Sequence, residues 1–596
     1  MNGHCDRILV ADLTKKMTQV VKPRRSFLDQ FLGGSGLAAR ILYDFSTTSS
    51  DPLSPSSPLL FMTGPLTGTS APCSGRHVVC GRSPLTGLWG ESHVGGRFGA
   101  ELKFAGLDGV LVIGQSENPC YLHITEQQIE IRSAESLWGM TTSETQQSIR
   151  EEVGRCEVAT IGPAGENLVH FAGINHDGRV AARCGLGAVM GSKNLKALAV
   201  QGSQPILLAY PHKFKELARK VGKSLRRNHE MLSKQGTAMY VTRGMLHNDM
   251  PIRYFQDAEF DVDRINADAM KDILVGRNAC YSCPIGCGRK VELAVSEDAV
   301  MGPEFQTIAA FGTNLLIDNL PDIARLNHLC NEMGIDTIST GGVIGFAISM
   351  TKCGRLSSKA SGHNLQWGDS QLVYDLIVEI SHRRGFGDSL ANGIVQFAQK
   401  IDSLDQALHV KGLDIPYHDP RAFVGMATTY AIAARGAAHT ESDVFAVAMD
   451  VEYPELGINS GDRLDNTGKG ELVARVQDFR AFCDSVIVCH FPIFPLADLI
   501  DLLNFAIGSN YSIQDIPHIG ARGVTLKRLI NLRLGFKPKQ DTLPKPLLQP
   551  LKDSIIEESV PDLESQLDEY YRYRKWDRAS GIPSLKALKN LQLDGI

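Results

Sequence analysis

Cys280, Cys283 and Cys287 stand in C-x2-C-x3-C spacing within Cys280-Tyr-Ser-Cys283-Pro284-Ile-Gly286-Cys287, and this run constrains the chain more than any other. Pro284 has no N–H to give to a helix or a sheet, and Gly286 opens backbone angles that other residues avoid. The segment must therefore be a tight, irregular loop that can aim several sulfurs at one centre. Three such thiolates plus one from elsewhere make the ligand set of a [4Fe–4S] cluster. A structural zinc takes the same ligand types, but usually as two close pairs or with a Cys/His pair, and no second C-x2-C or H-x3-H is present. The spacing favours iron–sulfur over zinc and over free thiols. The fourth ligand must come from far away. Cys489, in Phe482-Cys483-Asp484-Ser-Val-Ile487-Val488-Cys489-His490, is the first candidate, with Cys483 behind it.

The chain has 596 residues, too many for one ordinary core, so two to four domains are expected. A formal net charge of −5 gives no footprint of a nucleic-acid or membrane-surface protein. The start shows no basic segment followed by an apolar run, and no apolar stretch approaches membrane-spanning length. Thirteen cysteines in a chain without a secretion signal point to metal or catalysis rather than disulfides, which implies a cytoplasmic protein in an oxygen-poor setting.

Read in order, residues 1–205 are β-rich. Arg7–Leu13, Leu59–Met62, His77–Cys80, Gly109–Ile113 and Tyr121–Ile124 are short apolar or alternating runs bounded by turn residues. Glycine-dense turns lie between them at 33–36, 63–68 and 95–99, with helix expected on either side of the first. Several such loops suit close approach to a large phosphate-bearing cofactor, although each alone reads as an ordinary turn. Arg179, Arg183 and Lys193 sit among small residues, where their charges can meet a ligand or remain a solvated basic turn. From residue 206 the period becomes helical, as in 213–221, 322–333 and 372–380. The expected fold class is α+β: a β-rich N-terminal cofactor-binding base, a helical domain over 206–412 carrying the cysteine loop, and a helical domain over 413–596 carrying the fourth cysteine.

The ordered set Gly33–Gly36, Thr63–Gly68, Ser74-Gly-Arg76, Gly95-Gly96, Glu101–Gly106, Arg183–Lys193, the cysteine triplet, Gly302-Pro-Glu304, Asp336–Gly341, Lys411–Asp414, Asp419-Pro-Arg421, Arg435-Gly436 and Asp484–Cys489 resembles the aldehyde ferredoxin oxidoreductase family over nearly the whole chain. The resemblance implies a tungsten ion, or molybdenum, held by two pterin dithiolenes between the base and the helical domains, with one [4Fe–4S] cluster beside one pterin. It implies Cys280, Cys283, Cys287 and Cys489 as cluster ligands and Arg76 between cluster and pterin. Asp336 and Asp484 would accept from the pterin ring edges, with His93, Gly95, Gly96, Arg183 and Val488 also lining the cofactor and a Mg²⁺ possible between the pterin phosphates. Glu304 and His439 would be the acid–base pair. The implied activity is oxidation of aldehydes to carboxylic acids with ferredoxin, or another electron-transfer subunit, as acceptor, in a homo-oligomer or a multi-subunit complex. The alternatives are the catalytic subunit of a class II benzoyl-CoA reductase-like complex and an electron-transfer paralogue without aldehyde activity.

Three departures from the family pattern stand out: His93 for an asparagine, Ile487 for a glycine, and Thr440-Glu441 after His439, where an altered substrate pocket is expected.

Overall fold

A computed structural model describes residues 2–45, 51–294 and 298–595. Twelve strands lie within residues 8–200: β1 (Ile8–Asp12), β2 (Met17–Val21), β3 (Leu59–Met62), β4 (His77–Arg82), β5 (Trp89–Val94), β6 (Gly109–Ile113), β7 (Cys120–Ile124), β8 (Ile129–Ser133), β9 (Glu157–Thr160), β10 (Ile174–His176), β11 (Arg179–Ala181) and β12 (Leu195–Val200). They form two six-stranded sheets, ordered β2-β1-β6-β3-β4-β5 and β11-β10-β9-β12-β7-β8. Each sheet contains one parallel pair, β1/β6 or β7/β12, among antiparallel ones.

The apolar runs of the first sheet are continuous because both of its faces are covered. Side chains alternate across a strand. Leu59 and Phe61 of β3 join Val79, Val110 and Val112 against Leu122, Leu198 and Val200 of the second sheet. Leu60 and Met62 turn the other way, to Leu37, Leu42, Leu526 and Ile530. The latter come from the Gly34–Tyr43 and Asp515–Arg533 helices, so the C-terminal end of the chain roofs the N-terminal sheet.

The first glycine segment is not a loop between two helices. It is the opening turn of the Gly34–Tyr43 helix, which follows the Arg25–Phe31 helix after a break at Leu32 and Gly33. Gly34 has φ +45°, and a Cβ there would strike the Asp484 carbonyl. Glycine at this position lets the helix tip press against the Asp484 segment.

Beyond residue 205 helices dominate. One apolar core runs through both helical stretches, joining Phe214, Phe311, Ile344, Leu376, Tyr430, Val473 and Tyr570. The cysteine loop is the exception to the helical texture: it links strands Leu274–Asn278 and Gly288–Val291 of a small three-stranded sheet. Among the described residues no helix is long and apolar enough to cross a membrane.

Candidate cluster and cofactor site

The thiols converge from three segments. The Tyr281 N–H donates to the Gly96 carbonyl at 2.9 Å, and an isolated bridge pairs Gly75 with Tyr281, so the cysteine loop lies against both the Arg76 turn and the Gly95-Gly96 turn. A Cβ on Gly95 would lie 2.6 Å from Cys280 Sγ, which only glycine avoids. Cys489 is brought in from the end of the Lys469–Val486 helix, where its N–H donates to the Cys73 carbonyl at 3.0 Å. Arg76 Nη1 stands 3.9 Å from Cys489 Sγ. Cys483 sits inside that helix, buried, with Arg480, Asp484 and Asp443 as its charged neighbours rather than the other thiols.

These thiols are spread more widely than the ligands of a zinc tetrahedron. A zinc tetrahedron with Zn–S near 2.3 Å puts its sulfurs about 3.8 Å apart. Among the described residues, the groups of three or more potential ligands within 4.8 Å of one another are Glu91, His93, Asp484 and Glu157, His176, Asp177, and the ligand cysteines are in neither. A second cation suits an iron–sulfur cluster. Arg179 donates from Nη1 to Glu304 Oε1 at 2.9 Å, while its buried Nε and Nη2 have no protein acceptor. Cys280 and Cys287 are its next charged neighbours after Glu304. Cluster sulfurs would supply acceptors for those N–H groups, and Arg76 and Arg179 together would offset the charge of four thiolates.

Glu304 caps no N–H of its own helix, Phe305–Phe311. Its carboxylate accepts instead from Arg179 and from the Thr237 hydroxyl, and its side chain stays 38% exposed. His439 is half-buried, and burial, then the neighbouring His418, Arg183 and Arg435, hold its imidazole pKa well below the ordinary value. Its ring lies 5.4 Å from that of His418. His418 in turn places Nδ1 2.6 Å from Asp249 Oδ2, which also accepts from the Tyr240 hydroxyl at 2.8 Å. Phe445 stacks on His418 at 4.2 Å and Phe305 lies at 5.1 Å, giving an aromatic wall beside Glu304 and His439.

Arg183 reaches across from the base to the helical region. Its Nη1 donates to Asp336 Oδ2 at 3.1 Å, and its Nη2 donates to the carbonyls of Asp414 and Ala437 at 2.7 and 3.0 Å. Asp336 also caps the Thr337–Lys352 helix, accepting from the N–H groups of Ile338 and Ser339. Lys193 does not join this group. It is fully buried with Nζ near the carbonyls of Pro55 and Gly114, and burial pushes its pKa down to about 8.

Asp484 lies between two histidines, with His490 Nε2 at 2.9 Å and His93 Nε2 at 3.4 Å. Burial alone would raise its pKa, but His93, His490 and Lys527 hold it well below the usual carboxylate range. His93 is pushed down to about 4, chiefly by burial. The departures from the family pattern now have physical reasons. Ile487 is the C-cap of the Lys469–Val486 helix at φ 60°, ψ 60°, a left-handed conformation in which a β-branched residue costs roughly 1–2 kcal/mol. Its side chain fills space left by Gly34 and Gly64, whose absent Cβ atoms would lie 2.8 and 3.0 Å from it. Val488 follows, buried, its N–H donating to the Cys483 carbonyl at 3.1 Å.

Thr440 and Glu441 both turn toward Arg435. Thr440 Oγ1 accepts from Nη2 at 2.6 Å, and Glu441 Oε1 lies 3.3 Å from Nε. These two residues support Arg435, whose Nη1 donates to the Glu91 carbonyl at 2.8 Å. Glu91 is fully buried, accepts from Ser35, and pairs with Lys527 Nζ at 2.8 Å. Burial would raise its pKa; Lys527, His93 and Arg435 instead bring it down to about 2.

Lys527→Met is therefore expected to destabilise the protein by about 3–5 kcal/mol, because it leaves the Glu91 charge buried without its partner. The denaturant midpoint measures this loss. Adding Glu91→Gln should recover much of it, and a single variant as stable as the parent would remove the pair from the stability argument.

The structure thus brings Arg76, Gly95, Gly96 and the four candidate ligand cysteines to one place, gathers Arg183 with Asp336, and joins His93 with Asp484. Cys73, Arg179 as a partner of Glu304, His418 with Asp249, and His490 are neighbours that spacing did not reveal. Cys73 had one available signal, its place immediately before Ser74-Gly-Arg76.

Residues 8–202 match the family model for the aldehyde ferredoxin oxidoreductase N-terminal domain, and residues 215–593 match that for domains 2 and 3. Tungsten-containing aldehyde ferredoxin oxidoreductase of Pyrococcus furiosus is 38% identical over 600 residues, covering 98% of each chain. The same enzyme of Thermococcus kodakarensis is 38% identical over 601 residues, again 98% of each. The WOR-like subunit of an aliphatic sulfonate oxidoreductase of Pyrococcus furiosus is 30% identical over 637 residues, 99% of this chain and 97% of that one. Among solved structures, the active-site complex BamBC of benzoyl coenzyme A reductase with 1,5-dienoyl-CoA superposes with a TM-score of 0.87 at 25% identity, over 100% of this chain and 98% of that one.

Proposed function

The chain belongs to the aldehyde ferredoxin oxidoreductase family, and from that premise we propose that it oxidises aldehydes to carboxylic acids and passes the electrons to ferredoxin. The observation that carries this reading is the 38% identity to tungsten-containing aldehyde ferredoxin oxidoreductases across 98% of both chains, against 25% to the benzoyl coenzyme A reductase component. Bound, the tungsten bis-pterin would supply Lewis acidity and take up two electrons, and the [4Fe–4S] cluster would hand them on singly.

The protein's own groups do the rest. Cys280, Cys283, Cys287 and Cys489 hold the cluster. Asp336 and Asp484 would accept from ring N–H groups of the pterins, and Arg76, Arg183 and Val488 would line their edges beside the Gly95-Gly96 turn, where Gly95 leaves room for Cys280 and Gly96 for the His176 ring. The backbone at His93 would help to hold a Mg²⁺ bound with the cofactor. The exposed Glu304 carboxylate takes a proton from the water that attacks the carbonyl carbon. His439 donates a hydrogen bond to the substrate oxygen. With its pKa held down, the ring stays neutral near pH 7 and still has one N–H to give. A neutral donor stabilises developing negative charge without the cost of burying a cation.

An electron carrier would dock over the cysteine loop. Lys223, Arg226, Arg227, Lys234 and Arg277 share an open depression with Cys283 and Pro284. The acid there, Glu230, is paired with Lys234 at 2.7 Å. In a chain of net charge −5 this basic patch is local and suits an acidic ferredoxin. Arg226→Glu with Arg227→Glu is expected to slow reduction of an acidic ferredoxin by about 10-fold at low salt, within the range of electrostatic steering. Reduction of methyl viologen should be unchanged. Equal loss with both acceptors would place the docking face elsewhere.

Metal analysis and anaerobic turnover of an aldehyde panel with a viologen acceptor test the reading as a whole. Aldehyde-dependent reduction by tungsten-loaded protein is expected. Turnover of benzoyl-CoA or an alkyl sulfonate with none of any aldehyde would replace it with the chemistry of the more distant relatives.

A further inference from the structure

Five thiols meet at the cluster site, and four are needed. The fifth is Cys73, whose Sγ lies 3.7 Å from Cys283 Sγ. It is 2% exposed and tied to both ligand-bearing segments: its N–H donates to the Ser282 carbonyl at 3.2 Å, and its carbonyl accepts from the Cys489 N–H. An isolated antiparallel bridge between Gly75 and Tyr281 holds the Cys73 turn against the cysteine loop. Among the described residues this is the one thiol–thiol contact within hydrogen-bonding distance.

We propose that Cys73 and Cys283 form a reversible disulfide whenever the cluster is lost to oxidation. While iron is bound, the Cys283 sulfur is committed to it and the pair cannot close. Once iron leaves, the two thiols give up two protons and two electrons, an S–S bond forms, and dioxygen is reduced to hydrogen peroxide. The bond clamps the Cys73 turn to the cysteine loop, so the cluster pocket keeps its shape. It also shields Cys283 from oxidation to the sulfinic acid, which thiol reductants do not reverse. A dithiol reductant returns both thiols, and Cys283 is again available to iron. Whether the enzyme acts on aldehydes does not enter this inference.

The test uses the full chain with its cluster assembled anaerobically, then exposed to air until iron is lost. Mass spectrometry of a non-reducing digest should find a peptide joining Cys73 to Cys283. Dithiothreitol followed by ferrous iron and sulfide should restore the original iron content. Cys73→Ser should take up full iron under anaerobic assembly, yet recover severalfold less after air, with Cys283 found as the sulfinic acid. Crosslinks confined to Cys280, Cys283, Cys287 and Cys489 in the air-treated parent would overturn the proposal. So would low iron in anaerobically assembled Cys73→Ser, which would make Cys73 a cluster ligand.

Discussion

Glu304→Gln is expected to lower aldehyde turnover by about 10²–10⁴-fold, the usual worth of a positioned general base. Glutamine keeps the length and the polar end but cannot take a proton from water. The variant also removes the negative partner of Arg179, whose guanidinium is mostly buried. A fall in activity could then come from a displaced arginine, so Arg179→Gln serves as the second arm. It breaks the same ion pair but keeps the carboxylate, and its turnover should fall far less. Tungsten and iron contents, measured on the same samples, should match the parent in Glu304→Gln, and the Arg179→Gln turnover is to be read per cluster retained, since Arg179 also faces Cys280 and Cys287. Undiminished kcat in that variant would remove Glu304 from the mechanism, and equal losses in both would make the ion pair structural rather than catalytic.

Cys489→Ala should abolish the cluster, with iron and the reduced-state EPR signal both lost. Three thiolates leave one iron of the cluster without its protein ligand. The structure sharpens the control. Cys483 is buried in a helix beside Arg480, whereas Cys489 lies 3.9 Å from Arg76 and bonds the Cys73 carbonyl. Cys483→Ala should therefore keep its iron and lose stability only by the small cavity it leaves. Iron lost in Cys483→Ala and kept in Cys489→Ala would reverse the assignment.

Much of the molecule is legible in its sequence. Leu59–Met62 and Gly109–Ile113 read as strands because uninterrupted apolar runs between turn residues have few other uses, and both are strands with those limits. The helical period over 213–221 and 372–380 likewise lies within the Pro211–Asn228 and Ser370–Ser381 helices. The cysteine triplet announced a tight, irregular loop through its own Pro and Gly, and the ordered motifs carried the family. The glycines at 33–36 misled. Glycine permits a loop without requiring one, and here Gly34 opens a helix whose tip must touch the Asp484 carbonyl.

What spacing could not carry is contact between distant segments. Arg179 and Lys193 look alike in sequence, two cations among small residues. Yet one turns to Glu304, 125 positions away, and the other is buried against Pro55 and Gly114. His418 reads as a lone histidine until Asp249, 169 positions earlier, is found on its ring. Cys73 joins the cluster site across 210 positions. Sequence by itself fixes periodicity, turn chemistry and the local aim of a few thiols, because those depend on a residue's immediate neighbours. Which distant charges pair, and which further thiol stands beside Cys283, was decided by the packing of the helical region on the base, because only that packing closes the intervening loops.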